Sequence, residues 1–106
     1  MSAIIKDSNG QLVPPVFKPG VTQVFTVTAS SVQSAAFGQF TTAVLVSCSL
    51  GHGHIQFGAS PTASITTSLM MPNNFAIILG VNPGDKMAVI KDAAVTNCTI
   101  SVTELL

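Results

Sequence analysis

The sequence is poor in charge and lacks several residue types that binding sites commonly use. Only 8% of its 106 residues are charged, against about 25% in ordinary soluble domains. Trp, Tyr and Arg are absent, the net charge is zero, and residues 19–84 contain no Asp, Glu, Lys or Arg. Four lysines make a poor phosphate-binding surface, which argues against a nucleic-acid-binding protein. An uncharged surface does not repel copies of itself, so we expect a homo-oligomer.

Long hydrophobic runs are also missing. The most apolar stretch, Phe75 to Val81, is well short of the roughly 20 residues that a membrane-spanning helix needs. The N-terminus has neither the basic start nor the apolar run of a secretory signal, so we expect folding in the cytosol and no membrane partner. Because 47% of the residues are hydrophobic, a disordered chain is excluded.

Alternating apolar residues and turn signals predict a chain made of strands. Asn9-Gly10 predicts a hairpin turn, and Lys18-Pro19-Gly20-Val21 and Asn82-Pro83-Gly84-Asp85 predict type II turns. The fold class is therefore all-β, a single-domain β-sandwich or jelly-roll-like barrel of about eight or nine short antiparallel strands. Residues 1–106 form one domain, with residues 1–18 as an extended N-terminal arm or an edge hairpin, since Pro14 and Pro15 disfavour a central strand.

Each predicted strand has a face on which alternate residues fall together. Ser30–Phe37 is either a helical turn or a long connection. The sets that share a face are Phe25, Val27 and Ala29; Val44, Val46, Cys48 and Leu50; Ile55 and Phe57; Phe75, Ile77, Leu79 and Val81; Met87 and Val89; and Cys98, Ile100 and Val102.

His52-Gly53-His54, with Cys48 upstream, is the one motif that could suggest a metal. A zinc site needs three or four such ligands, and no third histidine exists. We therefore predict no metal and no cofactor, and interpret the motif as a glycine-containing bend with solvated or hydrogen-bonded histidines. Cys48 and Cys98 are predicted to be reduced, buried thiols, with a disulfide as the alternative.

The residues do not form a pattern typical of an enzyme. Ser60 is followed by Pro61 and lacks the second glycine of a nucleophile elbow. All carboxylates lie near the chain ends, and no phosphate-binding loop is present. The inventory predicts a protein without enzymatic activity.

Apolar residues in polar connections predict contacts with other subunits. Two methionines and a phenylalanine flank Pro72-Asn73-Asn74, although Met70 and Phe75 could instead point inward and leave only Met71 exposed. The predicted contact residues are Phe37, Phe40, Met70, Met71 and Phe75, with Ile4, Ile5, Val13 and Val16 in the arm.

Four collinear motifs resemble a family of small virion-associated proteins of tailed bacteriophages. They are Gln33-Ser34-Ala35-Ala36-Phe37, His54-Ile55-Gln56-Phe57-Gly58, Pro61-Thr62-Ala63 and Val81-Asn82-Pro83-Gly84-Asp85-Lys86. The resemblance spans roughly residues 30–92 and implies a non-enzymatic, β-rich virion component. This chain has Val, Leu, Ala and Ile where family members often carry charge, in Ala43–Leu50 and near Phe75, which suggests a more apolar contact.

The resulting functional prediction is a capsid decoration (cement) protein that forms trimers and binds the major capsid protein or another virion protein. It would be made in the host cytoplasm and located in the virion. The alternatives are a binding module of a head or tail fibre that contacts a receptor or carbohydrate, and a neck or tail-joining protein. A metal-dependent enzyme is the most distant alternative.

Overall fold

A computed structural model describes residues 18–92 and 97–106, and within these residues the protein is all-β, as predicted. None of the described residues is helical, and no helix that could span a membrane is found among them. The strands are β1 (Pro19–Val27), β2 (Val32–Gln33), β3 (Ala43–Ser49), β4 (Gly53–Gly58), β5 (Leu69–Met71), β6 (Phe75–Gly80), β7 (Lys86–Lys91) and β8 (Cys98–Leu105).

The strands form two antiparallel sheets, in the orders β1-β8-β3-β6 and β2-β7-β4-β5. The first sheet pairs β1 with β8 and β3 with β6, while the second pairs β2 with β7 and β4 with β5. Each strand of the first half of the chain therefore pairs with the corresponding strand of the second half, counted from the opposite end. This topology is that of the eight-stranded jelly roll. This topology resolves the choice left open by the sequence between a sandwich and a jelly roll.

The hydrophobic core lies between the two sheets, and both sheets contribute side chains to it. Val46 and Ile100 of the first sheet meet Ile55, Met87 and Val89 of the second, and all five are buried. Burial of such side chains contributes about 1.5–3 kcal/mol each relative to exposure. No buried side-chain nitrogen or oxygen among the described residues lacks a hydrogen-bond partner.

The predicted alternation is confirmed through much of the strands, with exceptions at strand ends. Ala29, expected on the face of Phe25 and Val27, is exposed beyond the end of β1, and Phe75 at the start of β6 is 42% exposed.

The clearest exception is at the end of β3. Val44, Val46 and Cys48 are buried, but Leu50 is exposed and has a φ of 68°. The strand ends at Ser49 because the backbone turns sharply through Leu50 and Gly51 to enter β4. The expectation that Leu50 shares the buried face is therefore wrong.

One of the two predicted proline–glycine turns is confirmed. The backbone N–H of Asp85 donates to the carbonyl of Asn82 at 3.0 Å, and Gly84 has a φ of 81°, as a type II turn requires. The other expectation, at Lys18–Val21, is wrong. There the backbone of Lys18 exchanges hydrogen bonds with Leu106, so the ladder with the C-terminus continues where a turn was expected.

The segment Ser30–Phe37 is a connection that contains β2, and it is not helical. Ser34 ties it to β7, since its backbone N–H donates to the Met87 carbonyl at 2.7 Å and its Oγ accepts from the Met87 N–H at 2.8 Å. The Asn9-Gly10 hairpin and the arm residues Ile4, Ile5, Val13 and Val16 lie outside the described residues.

Candidate functional site

The outer surface of the first sheet is the candidate contact surface of the fold, and we call it the open face. Except for Leu105, which is buried at the end of β8, its four strands alternate between core and outer positions, so every second side chain points outward. No outer position carries a charge. The open face consists of Thr22, Val24 and Thr26 of β1; Thr99, Ser101 and Thr103 of β8; Ala43, Leu45, Ser47 and Ser49 of β3; and Ala76, Ile78 and Gly80 of β6.

Hydroxyl groups on the open face bind each other across neighbouring strands. The side-chain oxygens of Thr22 and Thr103 are 2.8 Å apart, and those of Ser47 and Ser101 are 2.6 Å apart. Covering hydroxyls that already have partners costs less free energy than covering unpaired ones. Val24 and Ile78, 66% and 52% exposed, add apolar area towards the two edges. Charge depletion of this kind is typical of the centre of a protein interface.

The corresponding outer surface of the second sheet is partly covered by residues 59–68 of the same chain. Gln33 of β2 donates through Nε2 to the Pro61 carbonyl at 2.8 Å, and the Ala63 N–H donates to Ser31 Oγ at 2.9 Å. At the other end of the loop, Ser68 Oγ donates to Gln56 Oε1 of β4 at 3.2 Å. The loop therefore shields part of the second sheet, although Gln33, Gln56 and Met70 on that side stay exposed.

The predicted contact residues do not form a single surface. Phe37 and Met71, 3% and 1% exposed, belong to the core, where the Phe37 ring lies 6.3 Å from that of Phe57. These two expectations are corrected, since the buried side chains are unavailable to a second subunit. Phe40, Met70 and Phe75 are exposed, so a contact through them stays a prediction.

The three exposed residues are spread over different parts of the fold. Phe40 lies in the turn before β3. Met70 lies opposite His54 on the outer side of the second sheet, and Phe75 begins β6. Sequence reasoning missed Val24, Leu45 and Ile78 as contact candidates because both faces of their strands are uncharged, so alternation alone does not tell which side stays open.

His54 is a buried side chain with a hydrogen-bonding acceptor beside each ring nitrogen. Nδ1 is 3.2 Å from the Ser68 carbonyl oxygen and Nε2 is 3.0 Å from Asp92 Oδ2. Both nitrogens are therefore occupied by protein groups, while His52 is exposed to solvent. No group of three or more His, Cys, Asp or Glu that could hold a metal ion occurs among the described residues.

Glu104 is a buried carboxylate that organises the connection between β2 and β3. Its Oε1 accepts a hydrogen bond from the Gly38 N–H at 2.8 Å and another from the Thr41 hydroxyl. A side chain at position 38 would crowd this carboxylate, since a Cβ there would lie 3.2 Å from Oε1. The contacts are internal to the fold, which gives Glu104 a structural role.

Both cysteines are free and buried, as predicted. Burial raises the pKa of the Cys48 thiol to about 11, and the neighbouring Cys98 adds to the rise. Burial also raises the pKa of Cys98. Since the thiolate is the reactive form, both thiols are poor nucleophiles near neutral pH.

An open groove of about 660 Å³ lies at one end of the sandwich. The Asp85 carboxylate accepts a hydrogen bond from the Asn82 N–H at 3.1 Å, so it also holds the adjoining turn. The groove combines an aromatic ring with polar groups. Its lining residues are Phe57, Gly58, Ala59, Gly80, Val81, Asn82 and Asp85.

Comparison with known proteins supports the fold class alone. No family model and no curated protein matches the chain. Two crystal structures of HppE with iron(II) are similar, one of them a complex with substrate, at TM-scores of 0.51 and 0.50 and identities of 11% and 10%. The matches cover 97% and 96% of this chain but 61% and 55% of the HppE chains.

The likeness to an iron enzyme does not extend to an iron site. At about 10% identity the comparison shows a shared architecture, and function resides in particular side chains. The described residues bring no three metal-ligating side chains together. They therefore do not fit the iron of HppE, and no chemistry of that metal is transferred to this chain.

Proposed function

We propose that this chain is a structural virion protein of a tailed bacteriophage, a capsid decoration protein that binds across joints between capsid subunits. The observation that carries the proposal is the uncharged open face with its exposed Val24 and Ile78, because the removal of water from an uncharged contact surface costs little free energy. The jelly roll also occurs in viral capsid proteins, although it is shared with lectins and cupins.

In this proposal the protein catalyses no reaction. Its buried carboxylate, Glu104, and its buried thiols are engaged within the fold. Copies assemble as trimers on the shell, and many symmetric contacts together resist internal pressure. The arm residues Ile4, Ile5, Val13 and Val16 would extend onto a neighbouring subunit, while Phe40, Met70 and Phe75 would add contacts outside the open face.

The experiment has two parts, a count and a binding assay. Quantitative mass spectrometry of purified virions should find many copies, distributed over the shell. Purified phage capsids that lack the protein should bind the wild-type protein when it is added. Val24→Glu should weaken this binding by about tenfold or more, since it places an unpaired carboxylate in the contact. Leu50→Glu is the matched control, because Leu50 is equally exposed but lies off the open face.

Particular results would overturn the proposal. Absence of the protein from virions would exclude a structural role, and equal binding by both variants would exclude the open face as the capsid contact. A copy number typical of a small ring would favour a neck or tail-joining protein. Deletion of residues 1–17 tests the role of the arm separately. We expect the shortened protein to bind capsids more weakly, and unchanged binding would count against a role of the arm.

The groove supports a second candidate, a fibre-associated module that binds a receptor carbohydrate. Phe57 offers an apolar ring, and Asn82 and Asp85 offer polar groups, a combination suited to sugar hydroxyls. A glycan array would show binding by the wild type and its loss in Asn82→Ala. Absence of binding to any glycan would count against this candidate.

A further inference from the structure

Of the four strands at the sheet edges, β6 is the one without protection against pairing with another strand. Natural edge strands are protected by shortness, proline, charge or bulges. In the second sheet, β2 has two residues, and β5 has three and is followed by Pro72. In the first sheet, β1 begins at Pro19, and its pairing with β8 is irregular between Pro19 and Thr22.

None of these protective features occurs in β6. It has six residues, Phe75–Gly80, without proline or charge. Its pairing with β3 runs without irregularity from Cys48 opposite Phe75 to Ala43 opposite Gly80. Among the described residues, β3 is its only neighbour in the sheet.

The hydrogen-bond pattern identifies which backbone groups of β6 point away from β3. Val81 donates its N–H to the carbonyl of Thr42, directly opposite in the same register. In an antiparallel pair, hydrogen-bonded positions alternate with positions that are not bonded. Phe75, Ile77 and Leu79 therefore bond to β3. The backbone groups that point outward belong to Ala76, Ile78 and Gly80.

We propose that β6 pairs with β6 of a second copy of this chain, antiparallel and centred on Ile78. Centring there brings every outward-pointing group opposite another. Ile78 faces Ile78 of the second copy, while Ala76 and Gly80 face each other across the contact. Each such pair exchanges both of its backbone hydrogen bonds. Two-fold pairing of this kind gives a self-complementary contact.

The side chains of β6 fit this pairing. Ala76 opposite Gly80 introduces no bulk, and Ile78, 52% exposed, packs against its own copy. On the inner side, Ile77 falls opposite Leu79, and the exposed Phe75 falls opposite Val81. No position in the contact carries a charge, so a second copy meets no repulsion.

The two-fold contact is independent of the capsid role and extends the first sheet across two copies. In a trimeric protein it would join copies that belong to neighbouring trimers. Since it is measured on the purified protein without capsids, its failure would leave the decoration hypothesis untouched.

Site-specific cross-linking of the purified full chain tests the register directly. The Cα atoms of a hydrogen-bonded antiparallel pair lie about 5.5 Å apart, within the roughly 4.4–6.8 Å that a disulfide spans. Ile78→Cys should therefore form a disulfide-linked dimer under mild oxidation. Val24→Cys is the matched control, because it is at least as exposed but lies on β1. The native cysteines are buried and should not compete.

Light scattering, which measures the mass of the particle in solution, tests the contact with a second variant and without cross-linking. Ile78→Lys places two like charges opposite each other, so the wild type should have at least twice the mass of the variant at the same concentration. Equal masses, or equal cross-linking of Ile78→Cys and Val24→Cys, would overturn the proposal. If the masses are equal and Ile78→Lys still prevents incorporation into virions, the edge serves a strand of another protein, which also overturns pairing with a second copy.

Discussion

His54 Nε2 lies 3.0 Å from Asp92 Oδ2, joining the start of β4 to the residue that follows β7. The other ring nitrogen faces the Ser68 carbonyl at 3.2 Å. Both ring nitrogens therefore have a protein oxygen within hydrogen-bonding distance. One side chain thus ties together two strands and the loop that partly covers the second sheet.

We expect Asp92→Asn to lower the free energy of unfolding by about 1–3 kcal/mol, because a partly buried hydrogen bond to a carboxylate is replaced by a weaker one to an amide. Urea denaturation measures the change. His52→Asn is the matched control, since His52 is exposed nearby and its substitution should stay within about 0.5 kcal/mol. Equal effects of the two substitutions would mean that the His54–Asp92 contact contributes nothing specific.

Gly53 should tolerate a side chain less well than Gly58 at the other end of β4. A Cβ at position 53 would lie 2.6 Å from Ile100 Cδ1 and 3.3 Å from Cys98 Sγ, whereas at position 58 the nearest atom is 3.9 Å away. Gly53→Ala should therefore cost about 1–3 kcal/mol through overpacking, and Gly58→Ala less than about 0.5 kcal/mol.

A double substitution separates overpacking at Gly53 from other causes. Ile100→Val removes the Cδ1 atom that a Cβ at position 53 would meet. Urea denaturation of both single variants and the double variant should show Gly53→Ala costing less when it is combined with Ile100→Val, as expected of coupled neighbours. Additive effects would show that the close approach to Ile100 is not the reason.

The alternation of buried and exposed side chains along the strands could be predicted, because a strand with one buried face has an apolar residue at every second position of its sequence. Val44, Val46 and Cys48 are buried as that pattern requires. The end of the same strand could not be predicted, because Leu50 continues the apolar pattern and only its φ of 68° breaks it. The prediction of a turn at Pro19-Gly20 was wrong because a contact distant in sequence overrides the local signal. The backbone of Lys18 pairs with Leu106 at the other end of the chain.

The candidate site was less predictable than the fold because it depends on contacts distant in sequence. Met70 and Met71 are adjacent and chemically identical, and the pairing of Gly53 with Met71 decides that Met71 points inward. Likewise, Val24 and Ile78 are exposed on the first sheet, whereas residues 59–68 bind along the second sheet. Neither relationship leaves a local pattern in the sequence.

Glu104 should contribute to stability mainly as a hydrogen-bond acceptor. Glu104→Leu leaves the Gly38 N–H and the Thr41 hydroxyl without their acceptor, so we expect a loss of about 2–3 kcal/mol. Glu104→Gln keeps a carbonyl oxygen of similar reach and should cost less than about 1.5 kcal/mol. Thermal and urea unfolding of both variants provide the measurement, and a Gln variant as unstable as the Leu variant would contradict the acceptor role.

The stability of the protein should fall as the pH rises above 9, because of Cys48. Burial raises the pKa of its thiol from the ordinary value of 9.0 to about 11 in the folded state. Above pH 9 the unfolded chain has lost this proton while the folded chain retains it, so the unfolded state binds fewer protons and rising pH favours unfolding. The contribution is fully present below pH 9 and is lost by about pH 11. A shift of this size corresponds to about 2–3 kcal/mol.

The sequence makes this pH dependence easy to isolate. Tyrosine, which would titrate in the same range, is absent, and the chain has only four lysines. Urea unfolding between pH 8 and pH 11 should show a steeper loss of stability in the wild type than in Cys48→Ala, whatever the cost of the substitution at pH 8. Parallel curves would show that the Cys48 thiol ionises equally readily in both states. A residual slope in Cys48→Ala is expected from Cys98, whose pKa burial also raises, and it should disappear when both cysteines are replaced.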